Sequence, residues 1–125
     1  MDLTRMEKKR NIRRGNRMKS IKFHHNWNKK LDCDVFTTIR RHTPPKEIYY
    51  RYNEGQIFDV IVDGKSYCQA RLYDVQKEVL ASLDDRLLFC DTGSLKPYEV
   101  FESFGLKPTS KVLVLTFIRE GTEVS

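Results

Sequence analysis

The run Phe36-Thr37-Thr38-Ile39-Arg40-Arg41 sets two hydroxyls and two guanidiniums on one short, β-prone stretch. In a strand, Phe36, Thr38 and Arg40 share one face while Thr37, Ile39 and Arg41 share the other. A guanidinium pairs with phosphate or carboxylate through a planar fork, and a threonine hydroxyl both donates and accepts. The pattern fits a floor strand lining a pocket for an anionic or nucleotide-like ligand. It fits equally an edge strand whose threonines supply β-propensity and whose arginines are solvated.

Two other segments carry groups with matching chemistry. Tyr49, Tyr50 and Tyr52 lie between Lys46 and Arg51, which offers rings for base stacking beside cations, or a plain aromatic cover for the core. Asp91-Thr92-Gly93 reads as an acidic turn, able to accept from an exocyclic amine. If Arg40 and Asp91 meet, the alternative is an ion pair that locks turn to strand.

Metal chemistry finds little support. Cys33, Cys68 and Cys90 are widely spaced with no C-x-x-C. The neighbours His24 and His25 cannot aim both rings into one site from regular structure, and His42 is remote from them. Structural thiols and ordinary histidines are the reading, with no metal or cofactor, in a reducing, cytoplasmic setting.

Several elements must position these residues. Ile21 to Phe23 is β-like, and Asn26 can cap a short helix with Trp27 and Leu31 on one side. Val35 to Arg40 is a strand, and Pro44-Pro45 is expected to break regular structure. The segment Lys46 to Asn53 then reads as a long loop with at most one helical turn. After the Glu54-Gly55 turn, Gln56 to Val62 is a buried strand, and Asp63-Gly64 signals a type I′ hairpin. The return strand alternates, with Cys68, Ala70 and Leu72 on one face against Tyr67, Gln69, Arg71 and Tyr73. Beyond Val75 the period changes: Val79, Leu80, Leu83 and Leu87 predict a helix. Ser94 then caps a second helix facing Tyr98, Phe101 and Phe104 inward, stopped by Gly105 and Pro108. Val112 to Ile118 is a strand buried on both faces.

The 125 residues suit one domain that buries about two thirds of its unfolded surface. No apolar run approaches the roughly 20 residues of a membrane span, so a soluble chain without membrane partners is expected. The net charge of +6 points toward nucleic acid only through its location. Residues 1–17 carry seven basic and two acidic side chains, so the remainder is nearly neutral. That basic stretch reads as a disordered tail, either a phosphate-binding arm or a dangling end.

In order and spacing, these features resemble the ASCH domain, of the PUA-like β-barrel group. The matching residues are a short helix before Thr38-Ile39-Arg40, Gly55 before the strand Ile57 to Val62, and a return through Ala70 and Leu72. They continue with Asp91-Thr92-Gly93, the helix bearing Phe101 and Phe104, and a last strand ending Thr116-Phe117-Ile118-Arg119. The resemblance implies an α+β fold, a small PUA-like mixed β-barrel with two or three short helices inserted. It spans residues 19–120, between a basic tail at 1–18 and a short tail at 121–125. It also implies an RNA- or nucleotide-binding module with its cleft between the Thr38-Ile39-Arg40 strand and the Asp91-Thr92-Gly93 turn. Combined with the residue chemistry, the expected binding residues are Thr37, Thr38, Arg40, Arg41, Lys46, Tyr50, Arg51 and Asp91.

Some small ASCH proteins hydrolyse the acetyl-amide of acetylated cytidine, using a lysine three residues before the strand threonine and an acidic residue at the turn. Here Thr38 matches, Asp91 lines up with the acid, a glutamate in those enzymes, but is one methylene shorter, and Val35 stands where that lysine belongs. Lys29 and Lys30 on the preceding helix can replace it only if an ammonium reaches the cleft. The resemblance therefore puts binding first and amide hydrolysis second. A non-catalytic protein-interaction domain with a vestigial cleft is the third reading.

Overall fold

The computed structural model describes residues 19–24, 26–94 and 96–121; of residues 27, 28 and 90 only the backbone is described. The expected basic tail (1–18), the residues 122–125, His25 and the Trp27 and Cys90 side chains lie outside the described residues.

Among the described residues, five strands form one sheet: β1 (Lys19–Phe23), β2 (Val35–Arg41), β3 (Ile57–Val62), β4 (Lys65–Val79) and β5 (Lys111–Arg119). Their order is β1-β3-β4-β5-β2, parallel between β1 and β3 and antiparallel elsewhere. Three α-helices accompany it: α1 (Pro44–Tyr52), α2 (Asp85–Thr92) and α3 (Pro97–Ser103). Short 3-10 helices occupy Trp27–Asp32 and Leu80–Ser82. The fold is thus a small mixed α+β protein. Its sheet is not closed into a barrel, because β1 and β2 remain the two edges without a ladder between them. Among the described residues no helix is long and apolar enough to cross a membrane.

Turn chemistry sets the central hairpin. Asp63 and Gly64 both have positive φ, 50° and 79°, as a type I′ turn requires, and Val62 pairs with Lys65 across it. Alternation then buries Phe58 and Val60 of β3 beside Ala70 and Leu72 of β4. At Tyr73 the register slips, since Leu72 pairs with Phe117 and Asp74 with Thr116. This bulge turns Val75 into the core and lets β4 run on to Val79. The helix expected from Val79 therefore starts later, at Asp85, where the Asp84 side chain accepts from Arg86 N at 2.7 Å.

The loop expected around Pro44-Pro45 is also corrected. The Thr43 hydroxyl accepts from Lys46 N at 3.3 Å and opens α1, whose first turn holds both prolines. Amides there have no intrahelical acceptor, so proline removes nothing needed.

Strand β5 is buried on both faces, as its unbroken apolar run predicts. Leu113, Leu115 and Phe117 join Phe36, Phe58 and Leu72 in one cluster. Val112 and Val114, with Ile39, pack under Leu88 of α2, Phe101 of α3 and Leu106. Helices α2 and α3 thus cover one face, while curling of the sheet and Tyr50 of α1 fill the other. Phe23 of β1 and Phe36 of β2 come from opposite edges, yet their rings lie 6.4 Å apart. Phe36 stacks on Phe117 at 5.4 Å, and Phe117 meets Phe58 edge-on at 5.5 Å. Such aromatic pairs add about 0.5–1.5 kcal/mol each beyond burial. The two edges therefore face each other across a narrow seam.

Candidate functional site

The seam brings the strand hydroxyl, the strand guanidiniums and the helix carboxylate together. Ile39 N donates to Asp91 Oδ1 at 3.3 Å, so the last turn of α2 covers the free edge of β2. Asp91, expected in a turn, belongs instead to that helix, which Gly93 ends at φ 67°. Glycine suits this left-handed position because it carries no Cβ.

A third group enters from the Trp27–Asp32 segment. Lys30 Nζ lies 2.5 Å from Asp91 Oδ1, and the two side chains are only 8% and 9% exposed. The segment is anchored from several sides. Leu31 is fully buried, its N donates to Asn26 Oδ1 at 2.9 Å, and its carbonyl accepts from Arg119 Nη1 at 3.2 Å. Asp32 accepts the Tyr67 hydroxyl, and that bond leads the causes holding the phenol above its ordinary pKa. Lys29 adopts a positive φ of 55° beside Lys30.

Lys30 and Asp91 border a cavity of about 290 Å³. Thr38, Lys30 and Asp91 lie deep in it, all strongly buried. On the β1 side stand Lys22, Phe23, His24 and Arg40. On the α3 side stand Val100, Phe101, Phe104 and Leu106, with Arg41 at the rim.

Arg40 stitches the seam. Its Nε donates to Thr38 Oγ1 at 3.2 Å and its Nη2 to the Lys22 carbonyl at 2.9 Å, with the guanidinium 4.7 Å from the Phe23 ring centre. Burial lowers its pKa, while Tyr50 and Asp91 pull the other way. Because Thr38 accepts from Arg40, its own hydroxyl proton can be donated to another group. Arg41 Nη2 donates to Phe104 O at 2.6 Å.

Of the residues singled out from sequence, Thr38, Arg40, Arg41 and Asp91 line the cavity. Thr37 faces Thr116 of β5 and does not line it. Lys46 is exposed at the start of α1. Tyr50 packs on Phe58 at 6.2 Å, and Arg51 bonds Glu47 Oε2 at 2.8 Å and Val75 O at 3.1 Å. The tyrosine and basic loop is therefore a helix docked apart from the cavity. Val35 is 53% exposed and also outside it; the ammonium comes from Lys30. Lys22 and Val100 carried no signal in the sequence, and His24 was read there only as an ordinary histidine. Phe104 did, but as core, whereas it is 62% exposed at the rim. Among the described residues no group of His, Cys, Asp and Glu could hold a metal ion.

A carboxylate, an ammonium and a hydroxyl deep in one cavity can read the polar edge of a ring, or polarise a carbonyl and accept a proton. Comparison with known proteins finds no matching family model, curated protein or solved structure.

Proposed function

We propose that the cavity binds RNA or a nucleotide, in an ASCH-type, PUA-like module whose barrel is left open at the β1–β2 seam. The observation that supports this best is the convergence of Asp91 with Thr38 and Arg40, from a distant segment of the chain, on one cavity with an aromatic rim. Arg40 offers a cation for phosphate, Thr38 a hydroxyl, and Asp91 an acceptor for an amine. The free thiols of Cys33 and Cys68 suit a reducing, cytoplasmic setting. Calorimetric titration with nucleotides and a short RNA tests the reading. Binding that weakens with salt is expected, and Arg40→Ala abolishes it. Absence of binding to every nucleotide and RNA tried at low salt sinks the proposal.

Amide hydrolysis is the second reading, and the Lys30–Asp91 pair at 2.5 Å favours it. Water attacks the acyl carbon, Asp91 takes its proton, and the Lys30 ammonium stabilises the oxyanion. The C–N bond then breaks and the amine leaves with the proton from Asp91. Incubation with acetylated cytidine, followed for cytidine and acetate, decides this reading. No product at high enzyme concentration removes it while leaving binding intact.

A further inference from the structure

The cavity has two unlike ends, and the contrast specifies a ligand more closely. Its lining holds Lys22, Lys30, Arg40 and Arg41 against a single carboxylate, Asp91. Lys30 and Asp91 compensate each other, which leaves Lys22 and Arg40 near β1 and Arg41 at the α3-side rim as the cationic excess. Near β1, Arg40 uses Nε and Nη2 for protein acceptors, while Nη1 makes no hydrogen bond to a described residue. The Lys22 ammonium likewise has no partner among the described residues. The spare guanidinium nitrogen, at an end that Lys22 also borders, can take a single anionic group.

The opposite end is mostly apolar, with the Arg41 guanidinium held at its rim by the Phe104 carbonyl. Val100, Phe101 and Leu106 line this end together with Phe104, which is 62% exposed although it borders the cavity. An accessible aromatic face beside an apolar wall suits a flat ring. Between the ends, Asp91 Oδ1 is occupied by Lys30 and Ile39, and Oδ2 makes no bond to a described residue. That oxygen accepts only, so the ring edge it meets must donate.

We infer that the cavity takes an amino-bearing heteroaromatic ring joined to one phosphate. The phosphate sits at Arg40 and Lys22, the amino group at Asp91, and the ring against Phe104. The inference rests on the nucleotide reading above and assigns its parts to the two ends. The same chemistry occurs in a free mononucleotide and in a nucleotide within an RNA strand.

Isothermal titration calorimetry on the full chain with CMP, cytidine, UMP, inorganic phosphate and a short oligocytidylate tests it. CMP is expected to bind about tenfold tighter than cytidine, from the phosphate, and about tenfold tighter than UMP, from the amine. Lys22→Ala, an exposed position, should weaken CMP while leaving cytidine unchanged. Phe104→Ala should weaken both equally. Tighter binding of the oligomer than of CMP assigns the site to RNA, and the reverse to the free nucleotide; both support the division. Equal affinity for CMP and cytidine, for CMP and UMP, or for CMP and inorganic phosphate overturns it while nucleotide binding itself survives. If no nucleotide and no oligomer binds, the underlying nucleotide reading fails first.

Discussion

Lys30 and Asp91 lie 61 positions apart in the chain, yet their side chains form the most buried ion pair among the described residues. Removing one partner leaves the other charge in a poorly solvated site, at a cost of about 3–5 kcal/mol. Lys30→Met and Asp91→Leu should each lower the urea midpoint strongly. The double variant should lose less than either single one, since no charge is then stranded. Losses that simply add would show that the pair is not coupled.

Glu47 ties α1 to the sheet. Its Oε1 lies 2.7 Å from His42 Nε2 and 4.0 Å from Lys77 Nζ, and its Oε2 accepts from Arg51 Nε at 2.8 Å. The Arg51 bond and then the His42 bond hold its carboxyl below the ordinary value of 4.5. Folding therefore favours the charged form. That stabilisation is complete above the unfolded-chain pKa and is lost as pH falls through the lower folded value. Amide-exchange protection of α1 should decline, relative to β5, as pH falls below the ordinary carboxyl value of 4.5. Glu47→Gln should remove this pH dependence; an unchanged profile in that variant would rule out the carboxylate as its source.

Much of this architecture was legible because local physics decided it. The Asp63-Gly64 turn, the alternation of β3 and β4, and the two-faced burial of β5 depend on neighbouring residues alone. Other features depended on distant partners. Tyr73 bulges because β5 pairs with both sides of it, and nothing in its own neighbours marks that. Pro44-Pro45 carries the same letters as a helix breaker, and only the Thr43 cap makes it a helix start. Within the site, the hydroxyl and guanidiniums of β2 could be read from strand periodicity. Lys30 could not, because its direction follows from the burial of Leu31 and the anchoring of its segment by Arg119 and Tyr67.

Gly105 lies between the cavity-lining Phe104 and Leu106 and has φ +81°; a Cβ there would stand 3.1 Å from Arg41 Nη2. Gly55 has a similar φ of +86° but nothing within 4 Å of its Cβ position. Alanine at either site incurs left-handed strain of about 1–2 kcal/mol. At Gly105 it must also displace Arg41, whose Nη2 donates to Phe104 O at 2.6 Å. Gly105→Ala should therefore lower the urea midpoint more than Gly55→Ala and shift the NMR signals of Phe104. Equal losses without that shift would mean that the Arg41 contact carries no energy.

Arg40 performs a mechanical task that lysine cannot. One planar group reaches Thr38 Oγ1 at 3.2 Å and Lys22 O at 2.9 Å at once, so it links the two sheet edges where no ladder does. A lysine ammonium on a flexible stem is a point charge and does not hold that fork. Arg40→Lys should then lose one of the two charge-assisted bonds, about 1.5–3 kcal/mol, while keeping the charge. The loss should be local. Exchange protection of Ile21 and Phe23 in β1 should fall further than that of Leu113 and Leu115 in β5, because only the edge strand is released. Uniform loss across both strands would mean that Arg40 supports global stability instead of the seam, and unchanged protection in β1 would mean that the parallel pairing with β3 holds that edge by itself.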